Sequence, residues 1–254
     1  DGADTVNDVQ LTDQTSDMFA SPVQATETYE TAVPNNGHAM AAYMMAVGLW
    51  VGCLAFCIMF SPKEERVRCK NGTVEFFKRL PVVWAIAIVQ AILMVLLLHL
   101  FNGFEPAAFG RTILVAILTS LAFMSVVYCL NVYFGKIGSF ILLVFMVLQL
   151  SGSAGTYPSE LSAHFFRAIK PFMPFTYTVH AFRSTIASGL SITTDCLVFL
   201  GMIVVFSGLT ILGLRLQLKH QEAVEKEEQR VAKLKPCTEP VSYTHLRAHE
   251  TTLH

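Results

Sequence analysis

Charge is what this chain has least of. Only 15 % of its 254 residues are Asp, Glu, Lys or Arg, against 53 % hydrophobic ones. A soluble domain carries about 25 % charged residues. The net charge of −1 supplies no basic field for nucleic acid. Several chemistries are missing as well. There is no G-x-x-x-x-G-K-[ST] phosphate loop, no H-E-x-x-H and no G-x-S-x-G. No two carboxylates are placed for acid–base work, and none of the six cysteines has zinc-site spacing backed by histidines. The chain is therefore expected not to be an enzyme, and no catalytic residue, metal site or cofactor is assigned.

The few charges sit in blocks. None occurs between Glu30 and Lys63, Arg79 and Glu105, Arg111 and Lys136, Lys136 and Glu160, or Asp195 and Arg215. A membrane helix needs roughly 20 mostly apolar residues to cross about 30 Å of hydrocarbon. The gaps predict five spans, near 38–60, 82–102, 112–132, 137–152 and 195–214. So many apolar runs in so short a chain leave too little polar surface to cover them in water. Cys53 and Cys57 share one helix face and read as small apolar fillers.

Basic residues collect on cytoplasmic flanks. The link 61–80 carries Lys63, Arg66, Arg68, Lys70, Lys78 and Arg79, and the next short link adds Lys136. The tail adds Arg215, Lys219, Lys226, Arg230, Lys233 and Lys235. The opposite side has Arg111, Arg167, Lys170 and Arg183. Residues 1–37 hold seven acidic groups and no basic one. This predicts a multi-pass membrane protein, with 1–36 outside and 217–240 in the cytoplasm. Residues 1–36 read as an extracellular stalk or the edge of an upstream domain, 37–216 as the polytopic membrane domain, and 217–240 as a helical extension. Residues 241–251, VSYTHLRAHET, match the translation of a sequencing-library adaptor, so 241–254 are expected to be foreign to the protein. The chain opens on Asp1 rather than Met and reads as the downstream part of a longer protein.

Polar residues inside the spans are few, and Gln90 and Gln149 stand out. Bonding between helices accounts for both; lining a transport path is the alternative. An apolar, proline-broken stretch, KPFMPFTY (170–177), separates the last two spans. Leu161, Phe165 and Ile169 recur on one helix face before it. Pro171 stops that helix, because proline disfavours the helical conformation in the residue before it. Pro174 opens a second helix running to Gly189. The pattern predicts a helix–Pro–helix hairpin over 156–190, re-entrant or interfacial on the outer side. Arg167, Lys170, Pro171, Pro174, Tyr177, His180 and Arg183 are its candidate gate or headgroup contacts. Snorkelling by amphipathic helices is the plainer account of its charges. Arg66, Arg68, Lys70, Lys78 and Arg79 are candidates for docking a cytoplasmic partner.

Five motifs in order carry a resemblance: MFASPV (18–23), VPNNG (33–37), AAYMMAVGLWVG (41–52), LQLSGSAGTYP (148–158) and FFRAIKPFMPFTYTVHAFRSTI (165–186). Together they resemble the C-terminal membrane region of the phage infection protein (YhgE/Pip-like) family of Gram-positive bacteria, over roughly residues 15–235. The last motif is also similar to the segment before the final helix of ABC-2-type permeases. Lys170 departs from the pattern, which more often has Asn there. The resemblance implies an all-α integral protein of the bacterial plasma membrane with five transmembrane helices plus the hairpin, ABC-2 permease-like. It also implies an earlier membrane helix and a long extracellular region upstream. The partners it implies are membrane lipid, a second copy in a homodimer, an ATPase in trans, and a phage or secreted protein. The expected role is a membrane-transport or secretion component. The alternatives are an anchor for an extracellular stalk and a type VII secretion accessory subunit.

Overall fold

The computed structural model describes residues 36–61, 71–152, 169–187 and 191–234, and their regular structure is all helical. The helices are α1 (Asn36–Met59), α2 (Gly72–Asn102), α3 (Phe109–Phe134), α4 (Lys136–Gly152), α5 (Pro174–Ala187) and α6 (Thr193–Leu234). A 3-10 turn, Lys170–Phe172, leads into α5. The stalk expected over 1–36 lies, but for its last residue, outside the described residues. So do the first arm of the hairpin, 156–168, and the segment 241–254.

Among the described residues, four helices are long and apolar enough to cross a membrane: Met40–Met59 of α1, all of α2 and α3, and Thr193–Val231 of α6. The expected fifth span is a helix where it was expected, but a short one. Over its described length α4 has 17 residues, about 25 Å at 1.5 Å per residue. Two further boundaries differ from expectation. Residues 72–80 belong to α2 rather than to a loop, with Pro81 inside the helix. An interior proline removes one backbone bond and costs ~3 kcal/mol. The helix starts in close contact with α6: a Cβ on Gly72 would lie 2.6 Å from the Arg215 backbone nitrogen, so only glycine fits there. And α6 runs 42 residues, about 63 Å, as one rod through the expected span into the expected tail.

The helices alternate in direction, so the bundle has two ends. At the hairpin end, α2 gives way to α3 and α5 gives way to α6. At the tail end, α3 turns into α4, and α6 passes alongside the start of α2. Helix α3 is the hub, with 67 % of its apolar window buried, against 22 % for α2 and 28 % for α6. It contacts α1, α2, α4, α5 and α6. Small residues let α2 approach it: Val83, Ala87, Ala91 and Val95 recur every four residues, all buried. In lipid, such close backbone packing replaces the hydrophobic drive that joins helices in water.

At the tail end a single residue, Gly135, separates α3 from α4. Its φ of 61° and ψ of −135° suit only glycine. Its N–H donates to the Asn131 carbonyl (2.8 Å), and the Asn131 side chain accepts from Ser139 Oγ across the turn (2.6 Å).

Candidate functional site

Helix α5 decides how the expected hairpin is built. Its 14 residues make a rod of about 21 Å, about two-thirds of the roughly 30 Å that a span must cross. At one end, the Ile186 and Thr185 carbonyls accept from the backbone N–H groups of Ala107 (3.1 Å) and Ala108 (3.2 Å), in the α2–α3 link at the hairpin end. At the other end, the Phe175 ring packs against Trp50 (centroids 5.7 Å) and Phe123 (5.5 Å). Both partners lie fourteen residues into their helices, about 21 Å from the hairpin end. So α5 enters the bundle from the middle and rises to the hairpin end, as a half-helix.

A helix N-terminus at that depth exposes N–H groups with no water to satisfy them. The sequence supplies substitutes. Gln149, fully buried on α4, accepts the Phe175 N–H through Oε1 (3.4 Å). Pro174 brings no N–H to satisfy, and starts the helix with a fixed φ. The Lys170 carbonyl accepts from Met173 N–H (3.1 Å) and Thr176 Oγ1 (3.0 Å), and the Pro171 carbonyl accepts from Tyr177 Oη (2.9 Å). KPFMPFTY is thus a knot closed by its own polar atoms. Trp50 ties it to the bundle, meeting Phe123 (5.0 Å), Phe145 (6.0 Å) and Phe175, which come from α3, α4 and α5.

His180 leaves α5 on its exposed side, and its Nδ1 lies 2.7 Å from Asp195 Oδ2 at the start of α6. Asp195 is buried while His180 is about half exposed. Asp195 went unrecognised as a partner in the sequence, although an acid in the first turn of a helix is a readable signal. Of the other candidates on this face, Arg183 is exposed, Tyr177 and Lys170 are half-buried, Pro171 is exposed and Pro174 is buried. Arg167 lies outside the described residues.

Gln90 forms a second polar knot, between α1, α2 and α3. Its Nε2 lies 2.8 Å from Ser120 Oγ, 3.1 Å from Cys53 Sγ and 3.3 Å from the Leu49 carbonyl. Ser120 Oγ in turn donates to the Ala87 carbonyl (2.7 Å). Gln90 and Gln149 both join helices to one another. Cys53, read as an apolar filler, is a partner in the first of these contacts.

At the tail end the candidate docking residues separate. Arg66, Arg68 and Lys70 lie outside the described residues, and Lys78 is exposed. Arg79 turns inward: its Nη2 is 3.0 Å from Glu75 Oε1, one helical turn back, and both side chains are largely buried. A partner protein cannot grip a guanidinium held this way. The pair was legible as an acid four residues before a base; its burial was not.

The chain is similar to "Uncharacterized protein YhgE" of Bacillus subtilis (strain 168), with 35 % identity over 181 residues, or 71 % of this chain. The aligned part is 23 % of that relative, so the chain spans about a quarter of its length. No family model matches the chain, and no solved structure does.

Proposed function

Since the chain belongs to the YhgE/Pip-like family over this membrane region, we propose that it is the membrane module of a transport or secretion component of the bacterial cell envelope, similar in plan to an ABC-2 permease. On this reading α4 completes a fifth crossing. Residues 1–36 and the hairpin face outside, and the tail of α6 lies in the cytoplasm, where an ATPase would act in trans on a homodimer. The proposal includes no enzymatic step and no cofactor.

The half-helix α5 carries this reading. A broken helix at membrane depth is tolerated where it packs in protein or lines a cavity, and transporters place such helices at their substrate paths. Here it is fastened by a small number of directional contacts: one glutamine, two backbone bonds and one His–Asp pair. Gln149 Nε2 and Trp50 Nε1 are buried beside it with no acceptor among the described residues. They are donors that a passing group or a second arrangement of the helix can use. The charge bias of the sequence supports the orientation.

A second reading has its own support. Gln90, Ser120 and Asn131 are all turned to helix partners, so no charged path crosses the described bundle. Three-quarters of the relative lies outside the aligned part. Both facts favour a membrane anchor for a large extracellular region that phage or secreted proteins grip. One experiment separates the two. The full-length protein is purified and reconstituted, co-purifying ATPase is sought, and export of a labelled envelope lipid is followed. An ATPase partner with flux supports the permease. Neither partner nor flux, with retained binding at the cell surface, leaves the anchor.

A further inference from the structure

The strongest unassigned feature is the free end of α6. From Lys219 to Val231 every residue is exposed, and the stretch is polar nearly all round. Such a helix persists through many internal ion pairs or through a partner. Internal pairs are scarce here. Among the described residues the stretch has one, Arg230 Nη1 to Glu227 Oε2 at 3.7 Å. Lys219, Glu222, Glu225 and Lys226 form none, although Glu222 and Lys226 have the favourable i,i+4 order.

These four charges are sorted. At about 100° per residue, Lys219 and Lys226 share one edge of α6, with Arg230 beside them. Glu222 and Glu225 share a second edge, roughly 80° round the helix. The strip between the edges runs back into the membrane span through Arg215, Gly208, Val204 and Leu197, at helical spacing. Arg215 is turned to Thr73 of α2. Val204 is 71 % exposed and Leu197 64 %, and a Cβ on Gly208 would meet nothing. One face of α6 is thus open along most of its length, apolar within the span and edged by opposite charges beyond it.

Lipid covers the apolar part of such a face but not charges carried beyond the membrane. A partner of one sign satisfies one edge and is repelled by the other. A second copy of this chain satisfies both. It leaves the membrane in the same direction, so the two α6 helices run parallel about a two-fold axis. With the strip at that axis, the basic edge of each copy meets the acidic edge of the other, as flanking charges do in coiled coils. We infer that two copies pair through this face of α6, with Lys219 and Lys226 of each against Glu222 and Glu225 of the other. The inference rests on the homodimer of the proposed function and gives it a surface. Exposed ion pairs are individually weak, but confinement to one membrane raises the effective concentration at which they act.

Exchanging the charges tests this. The full-length protein is co-expressed with two different affinity tags and solubilised in mild detergent. The share of one tagged form recovered with the other is then measured. In one variant, Lys219→Glu with Lys226→Glu makes both edges acidic. In the other, Glu222→Lys with Glu225→Lys makes both edges basic. All four residues are exposed, so neither variant removes a packing contact of the monomer. Each variant should recover itself about fivefold less than the native chain does, a loss of ~1 kcal/mol. The two variants expressed together should recover one another to within about twofold of the native level, because every contact is again between opposite charges. No recovery with the native chain overturns this inference and the homodimer together. Undiminished recovery in both variants overturns this surface and leaves the homodimer standing. A loss that mixing the two variants does not restore also overturns the pairing, because it assigns the two edges to a partner other than a second copy.

Discussion

The two ends of the bundle face one problem and solve it differently. A helix that stops inside or at the edge of a membrane leaves backbone groups without partners. At the hairpin end these groups are closed by the protein. Gln149 receives an N–H of α5, the α2–α3 link donates to its last carbonyls, and hydroxyls of Thr176 and Tyr177 fold back onto their own turn. At the tail end the described closure is confined to the end of α3, where the Gly135 N–H and Gln217 Nε2 donate to the Asn131 and Val132 carbonyls. Helix α6 continues past the bundle, and from Lys219 to Val231 it is exposed throughout. Its backbone is satisfied by simply remaining helical. The end of α5 therefore depends on particular side chains, and the far end of α6 on helix length.

Breaking the contacts should expose that difference. The largest effect is expected at Trp50, which joins three other helices through one ring. Trp50→Ala should lower stability by about 3–5 kcal/mol, as large-to-small changes in packed aromatic cores do, read by denaturation in mixed micelles. Trp50→Phe should retain most of it. A loss under 1 kcal/mol for Trp50→Ala would show that α5 is not anchored through this cluster. The next effect tests close approach at the tail turn. A Cβ on Gly138 would lie 2.6 Å from the Leu130 carbonyl oxygen. Gly138→Ala should therefore cost about 1–3 kcal/mol, whereas Gly208→Ala, with open space around it, should not destabilise. Gln149→Leu keeps the volume of the side chain and removes the cap of α5. Leaving a buried donor unsatisfied costs about 1–3 kcal/mol. Hydrogen exchange should speed up at the start of α5 and not in α3; equal change in both would mean that the bond is not local to the cap.

The same contrast sets what could be read in the sequence. Spans were legible because gaps in charge are counted directly, and α1, α3 and α6 begin or end within a few residues of the gaps. Pro174 announced the start of α5 for a stereochemical reason that holds in any environment. What stayed hidden was depth. Nothing in KPFMPFTY says that its second phenylalanine reaches Trp50, because that depends on where α4 ends and Gln149 points. The start of α2 was misplaced for a related reason. Pro81 and the charges around it look like a loop, and the packing of α2 against α6 that starts at Gly72 cannot be seen in the sequence. Likewise the Glu75–Arg79 spacing could be seen, but an exposed pair and a buried one have the same spacing.

The smallest expected effect belongs to the tail, and it is the sharper half of the comparison. Val231 is exposed on the stretch of α6 that touches no other described helix. Val231→Ser removes only surface area that nothing covers, so stability should change by no more than ~0.5 kcal/mol. Val231→Pro is the telling counterpart. It would break the last turns of α6, yet the bundle contacts of that helix, from Thr73–Arg215 to the Val132 carbonyl accepting from Gln217, all lie at least fourteen residues earlier. Bundle unfolding monitored at Trp84 should therefore be unchanged while helical content falls by a few residues. Should Val231→Pro lower bundle stability as much as Gln149→Leu does, the tail is held by something that the monomer does not contain. A second copy is then the first candidate, testable by whether the loss grows on dilution.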